Sequence, residues 1–149
     1  MNMTTTTPSY TDTLGVDTDY ELMTPEGPVT VRGRLIGYNS SQREDHSHVG
    51  PLAPHDRRRC AACRWVEIRI VRDEDGQYAV STLGRSTVDG EEDRSRVIFT
   101  ESPFEILEVL TDRRNGRTPR LPIIAARVLA QAAAIDDGVK DAYVNRAVV

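Results

Sequence analysis

Residues 65–83 read WVEIRIVRDEDGQYAVSTL, and the fold class turns on this stretch. Val66, Ile68 and Ile70 fall at alternate positions and share one face, and the β-branched content is high, so the first half is a strand. Asp73-Glu74-Asp75-Gly76 is a turn, and Gln77 to Leu83 returns as a second strand, giving a β-hairpin.

Working outward, residues 28–38, PVTVRGRLIGY, place Val29, Val31, Gly33 and Leu35 on one face and Thr30, Arg32, Arg34 and Ile36 on the other. That alternation predicts a half-buried strand, bent near Gly33. Gly84 to Ser95 is polar, with a turn at Val88-Asp89-Gly90, and Arg96 to Thr100 is a further short strand. Residues 1–27, rich in Thr, Asp, Pro and Gly, are expected to form a flexible or loosely docked arm. Tyr10, Leu14, Val16, Tyr20 and Leu22 are its available anchors.

Beyond residue 101 the period changes from two to 3.6. Ser102-Pro103-Phe104-Glu105 opens a helix, with a Ser cap, Pro at the first helical position and Glu three residues after the cap. That helix is expected to run to about Arg114 and stop at Asn115-Gly116, burying Phe104, Leu107 and Leu110 with Ile106 and Val109 beside them. A second helix starts near Pro122 and buries Ile124, Val128, Gln131 or Ala132, and Ile135. Asp136-Asp137-Gly138 ends or kinks it, and Val139 to Ala147 is helical again. The order predicts an α+β domain over residues 28–149: a small antiparallel sheet packed against two or three carboxyl-terminal helices.

Composition sets the outer bounds. The 149 residues suit one domain, and 38% hydrophobic with 28% charged residues belongs to an ordinary globular chain. The longest apolar stretch, LPIIAARVLAQAAAI, is broken by Arg127 and Gln131 and is too short to span a bilayer. The amino terminus has neither a basic leader nor an apolar core, so the expected location is the cytoplasm.

The remaining information lies in residues 44–65, EDHSHVGPLAPHDRRRCAACRW, which hold all three histidines and both cysteines of the chain. Cys60 and Cys63 have the two-residue gap that lets two thiolates grip one tetrahedral ion. With His55 and His48, or His46 in place of His48, they make a Cys2His2 zinc site. A polar loop of about 25 residues inside a compact domain needs a function or a bound ion to order it, and zinc binding supplies that folding free energy. The alternatives are solvent-facing histidines with the cysteines as core fillers, and a thioredoxin-like redox pair. The redox motif opens a helix after a strand, whereas this one precedes a strand.

Basic charge is carried by 18 arginines and one lysine, a bias that a GC-rich genome explains, and the net charge of −4 argues against a whole-protein phosphate binder. Arg57, Arg58, Arg59, Arg64, Arg69 and Arg72 nevertheless cluster in sequence. They suggest a local patch for a partner or for nucleic acid, with Trp65 either packing under the site or stacking on a base. No GxSxG, P-loop, GxGxxG or convincing carboxylate pair is present, and Asp136, Asp137 and Asp141 read as a hydrated helix end.

Two resemblances bear on function. Asp45-His46, Gly50-Pro51-Leu52 and Cys60-x-x-Cys63 resemble the cadence of HNH nucleases, which implies a metal nuclease with His46 activating water. Here a strand follows the knuckle instead of a helix, and no Asn or His follows until Asn115. The His-then-CxxC-Arg-Trp segment, the Thr-rich start and the DAYVNRAVV end look like small accessory proteins of actinobacteria and their phages. That likeness implies a small cytoplasmic product that acts by binding a host protein. The chain as a whole reads as a non-catalytic binding or regulatory module, with the exposed face of the carboxyl-terminal helices as a further face for a homodimer.

Overall fold

The computed structural model describes residues 14–41, 64–113 and 118–146. Among the described residues, five strands precede three helices: β1 (Asp17–Thr24), β2 (Gly27–Ser40), β3 (Arg64–Asp73), β4 (Tyr78–Ser86), β5 (Arg94–Thr100), α1 (Pro103–Leu110), α2 (Ile123–Ile135) and α3 (Asp137–Asn145). The strands form one antiparallel meander in sequence order. The expected α+β class is therefore present, with the hairpin of residues 65–83 at its centre.

The hairpin turn is built by Asp73. Its carboxylate accepts from the Asp75 and Gln77 amides, both at 2.9 Å, and Gly76 takes the left-handed conformation (φ 86°) that closes the turn. On the helix side of the sheet, Ile68, Ile70, Tyr78 and Val80 form one core with Ile36, Ile106, Leu110, Val128, Leu129, Ala132 and Val139. On the opposite side Tyr20, Leu22, Val31, Leu35, Val71 and Ala79 form a second.

Two cores on one sheet require the sheet to fold over itself, and β2 is where it bends. The β2–β3 register shifts between Leu35 and Gly37, so Ile36 and Gly37, successive residues, both meet the helical layer. This is a β-bulge. It turns the β1–β2 hairpin across the sheet, bringing β1 against β4 and β5. The bend needs small residues at the close approaches. A Cβ on Gly33 would lie 2.2 Å from the Arg72 carbonyl oxygen, and one on Gly37 would lie 2.8 Å from that of Val128. The bend expected near Gly33 is thus real, with its bulge three residues later.

Several expectations need correction. Of the arm expected over residues 1–27, residues 17–24 are a full strand paired to β2, and Tyr20 and Leu22 are buried core. Its Thr and Asp content masked the alternation, because outward-facing Asp17, Asp19 and Glu21 look like linker residues when read in series. In α1 the Ser102 hydroxyl makes no cap. Thr100 replaces it, donating to Glu105 Oε1 and accepting from the Ser102 amide at 3.0 Å. The helix ends at Leu110 and buries Ile106 and Leu110, while Phe104 is 51% exposed. In α2 the choice at 131 and 132 resolves by chemistry. Ala132 is in the core, and Gln131 turns to the sheet, its Oε1 accepting from the Tyr38 amide at 2.8 Å. That amide lies beyond the last β1 partner of β2, so the glutamine completes a strand edge that would otherwise go unpaired.

Gly33→Ala forces the bend open and is expected to destabilise the protein by about 2–3 kcal/mol or more. Chemical denaturation checks this; a change below about 0.5 kcal/mol would mean the bend does not depend on that contact.

Candidate functional site

The predicted zinc ligands Cys60, Cys63, His55 and His48, with His46 as alternative, and the arginines Arg57, Arg58 and Arg59, lie outside the described residues. Among the described residues no group of three or more His, Cys, Asp or Glu side chains is placed to hold a metal ion. What the fold does define is the pair of strand ends that this stretch connects. Ser41 and Val66 are joined by two hydrogen bonds, from the Val66 amide to Ser41 Oγ (2.8 Å) and from the Ser41 amide to the Val66 carbonyl (2.9 Å). The stretch therefore leaves and re-enters the sheet at one clasped point.

Next to that point, on the face opposite the helices, β3 and its neighbours carry a half-buried polar cluster. Glu67 is at its centre. One of its carboxylate oxygens accepts from Trp65 Nε1 at 3.0 Å and lies 3.7 Å from Arg85, and the other lies 3.7 Å from Arg69. The Arg69 guanidinium sits 5.6 Å from the centroid of the Tyr38 ring and donates to the Glu21 carbonyl of β1 at 3.4 Å. Arg85 lies 5.9 Å from the Trp65 ring and pairs with Asp93 at 3.2 Å. The cluster exists because strand pairing places Trp65 opposite Arg85, and Arg69 opposite Tyr38.

The arginine patch expected on β3 does not assemble as one surface. A strand sends alternate residues to opposite faces, so Arg64 and Arg72 point to the helix side and Arg69 to the other. Each is also neutralised. Arg64 makes a two-pronged pair with Glu91 (2.9 and 2.6 Å), Arg69 pairs with Glu67, and Arg72 pairs with Asp136 (2.7 Å). The Arg64 pair and a Ser86 hydroxyl bond hold the Glu91 carboxyl down at about 2. Trp65 engages Glu67 and Arg85; the site it was expected to pack under lies outside the described residues.

Sequence reasoning missed Asp136. It was expected at a hydrated helix end, yet its side chain is fully buried. One carboxylate oxygen accepts from the Tyr78 hydroxyl (2.8 Å) and from the Val139 amide (3.0 Å), capping α3. The other accepts from Arg72 at 2.7 Å, and the Arg72 guanidinium stacks 5.0 Å from the Tyr78 ring. Burial pushes the carboxyl up, but the Val139, Tyr78 and Arg72 donors outweigh it and hold it below the ordinary carboxylate value. Burial, followed by the hydrogen bond to Asp136, pushes the Tyr78 phenol up to about 12. The only sequence clue was Asp136 preceding Gly138, since a Cβ on Gly138 would sit 2.8 Å from the Tyr78 hydroxyl.

Chemically, these described groups pair charges and order the fold. The shifts at Asp136, Tyr78 and Glu91 all move away from neutrality, the reverse of what proton transfer at pH 7 requires. No helix among the described residues is long and apolar enough to cross a membrane. No protein-family model, curated protein or solved structure matches the chain.

The two shifts fix a pH profile. The depressed carboxyl of Asp136 contributes stability that is complete above the unfolded carboxylate range and is lost as pH falls through its lower folded value. Tyr78 keeps its proton in the fold up to about 12 but loses it near 10 when unfolded, so stability declines as pH rises from 10 towards 12. Denaturant unfolding across pH is expected to show both arms, and Tyr78→Phe to remove the alkaline decline at this site. An unchanged alkaline arm in the variant would refute the assignment.

Proposed function

We propose that this protein is a non-catalytic zinc-binding accessory module that acts through protein–protein interaction. In this reading Cys60 and Cys63 bind the ion with His55 and either His48 or His46. The zinc-ordered stretch and the neighbouring Glu67–Arg85–Trp65 cluster present the surface a protein partner meets. The observation that supports it most is the clasp between Ser41 and Val66. It joins the two ends of a 22-residue stretch, 42–63, that holds every soft ligand of the chain, beside a polar cluster already rigid enough to serve as a partner's platform.

Zinc here acts in folding. Thiolates and imidazoles deprotonate to bind it, and the binding free energy becomes stability of the loop. Half-buried aromatic and arginine side chains such as Trp65 and Arg85 beside such a loop are of the residue types that dominate protein interfaces. A host factor as partner agrees with the likeness to phage accessory proteins.

Purified full-length protein is expected to contain one zinc per chain, to lose it in Cys60→Ser or Cys63→Ser, and to show a lower melting temperature on chelation. Affinity capture from the source cell should retain a partner with wild type and release it with Cys60→Ser. Metal analysis that finds no stoichiometric zinc in wild type would sink this reading.

A further inference from the structure

The described arginines differ in whether a carboxylate lies within 4.0 Å: Arg34 on β2, Arg127 on α2 and Arg146 after α3 have none among the described residues and stand apart from one another in sequence. Arg32, Arg64, Arg69, Arg72 and Arg85 each lie within 4.0 Å of a carboxylate. Arg94, Arg96, Arg113 and Arg120 are exposed, and no described carboxylate comes that close to any of them. Of the acidic residues before β5, Glu91 is bonded to Arg64 and Ser86 and Asp93 to Arg85, although the Arg94 charge also helps to hold the Glu91 carboxyl down.

These four belong to one region. Arg94 and Arg96 are alternate residues of β5 and face the same side, opposite Gly84 and Thr82 of β4. Arg96 reaches over α1, donating to the carbonyl of Val109 in its last turn at 3.3 Å, where the helix dipole favours a cation. The chain leaving α1 is pinned by a backbone pair between Asp112 and Arg120 (2.7 and 3.1 Å), which holds Arg113 and Arg120 at that same end. Besides the paired Glu91 and Asp93, the acidic residues beside these arginines are Glu92, Glu108 and Asp112, three carboxylates against four guanidiniums.

We propose that Arg94, Arg96, Arg113 and Arg120 form a contact surface for the phosphate backbone of duplex nucleic acid, bound without regard to base sequence. A planar guanidinium grips phosphate oxygens with two parallel hydrogen bonds. Single-strand binders stack bases on aromatic side chains; here Trp65 and Tyr38 lie on the opposite face of the sheet, engaged with Arg85 and Arg69. Exposed Phe99 alternates to the other face of β5 from Arg94 and Arg96, and exposed Phe104 lies in the first turn of α1, at the far end of that helix from Val109. A membrane surface is disfavoured because interfacial binding needs a broad apolar face beside the charges, and the exposed aliphatic next to Arg120 is Ile123 alone. This surface uses none of the zinc-site residues, so it stands or falls independently of the metal.

Fluorescence anisotropy of the full chain with a labelled mixed-sequence duplex of about 20 base pairs tests it. Four phosphate contacts predict that log affinity falls against log salt with a slope of roughly −3 to −4, about a hundredfold loss between ~50 and ~200 mM. Arg94→Gln/Arg96→Gln and, separately, Arg113→Gln/Arg120→Gln should each weaken binding at least about tenfold and lower the slope by about two. Arg32→Gln should leave both unchanged. Absence of salt-dependent duplex binding, wild-type binding by both double variants, or binding to anionic phosphatidylserine vesicles without duplex binding would overturn the proposal. Using both double variants guards against loss of the Arg96–Val109 bond being mistaken for loss of contact.

Discussion

One buried carboxylate joins the two layers of this molecule. Asp136 sits at the break between α2 and α3 and holds Tyr78 and Arg72, both from the central hairpin, while capping α3 through the Val139 amide. A carboxylate removed from water is expensive unless its oxygens are satisfied by donors, and a charged one needs a counter-charge. Here two oxygens receive three donors, one of them a guanidinium. The same residue therefore ends one helix, starts the next and fixes both against the sheet. Gly138 follows from this, because its missing side chain leaves room for the Tyr78 hydroxyl.

The second constraint is the bend in β2. Without the bulge at Ile36 the β1–β2 hairpin would continue the plane of the sheet, and Leu22, Val31 and Leu35 would face water. With it, the hairpin covers Val71 and Ala79 and a second core forms. The sheet thus buries both faces with eight elements, and its open end carries the Glu67 cluster and the clasped ends of residues 42–63.

Much of this was legible in the sequence, and the failures share a cause. The central hairpin, the bend near Gly33 and the helical half follow from local periodicity, which strands and helices write directly into the chain. What local reading missed depends on partners far away in sequence. Asp17, Asp19 and Glu21 look like a linker until β2 supplies a register for them. Asp136 looks like a solvated helix end until Tyr78, 58 positions earlier, reaches it. The arginines of 57–72 looked like one patch because a linear window ignores that alternate strand residues face opposite ways. Pairing with Glu91, Glu67 and Asp136 then removes those on β3 from consideration. The metal ligands are the opposite case: their clustering is visible in sequence alone.

The Asp136 junction is the claim on which the packing account rests most directly, and a double-mutant cycle of Tyr78→Phe with Asp136→Asn measures it. Groups that share a buried hydrogen bond are expected to couple by about 1–3 kcal/mol in unfolding free energy. A coupling of that size confirms that the hairpin and the helical break stabilise one another through this bond. Additive effects, with coupling below about 0.3 kcal/mol, would contradict it.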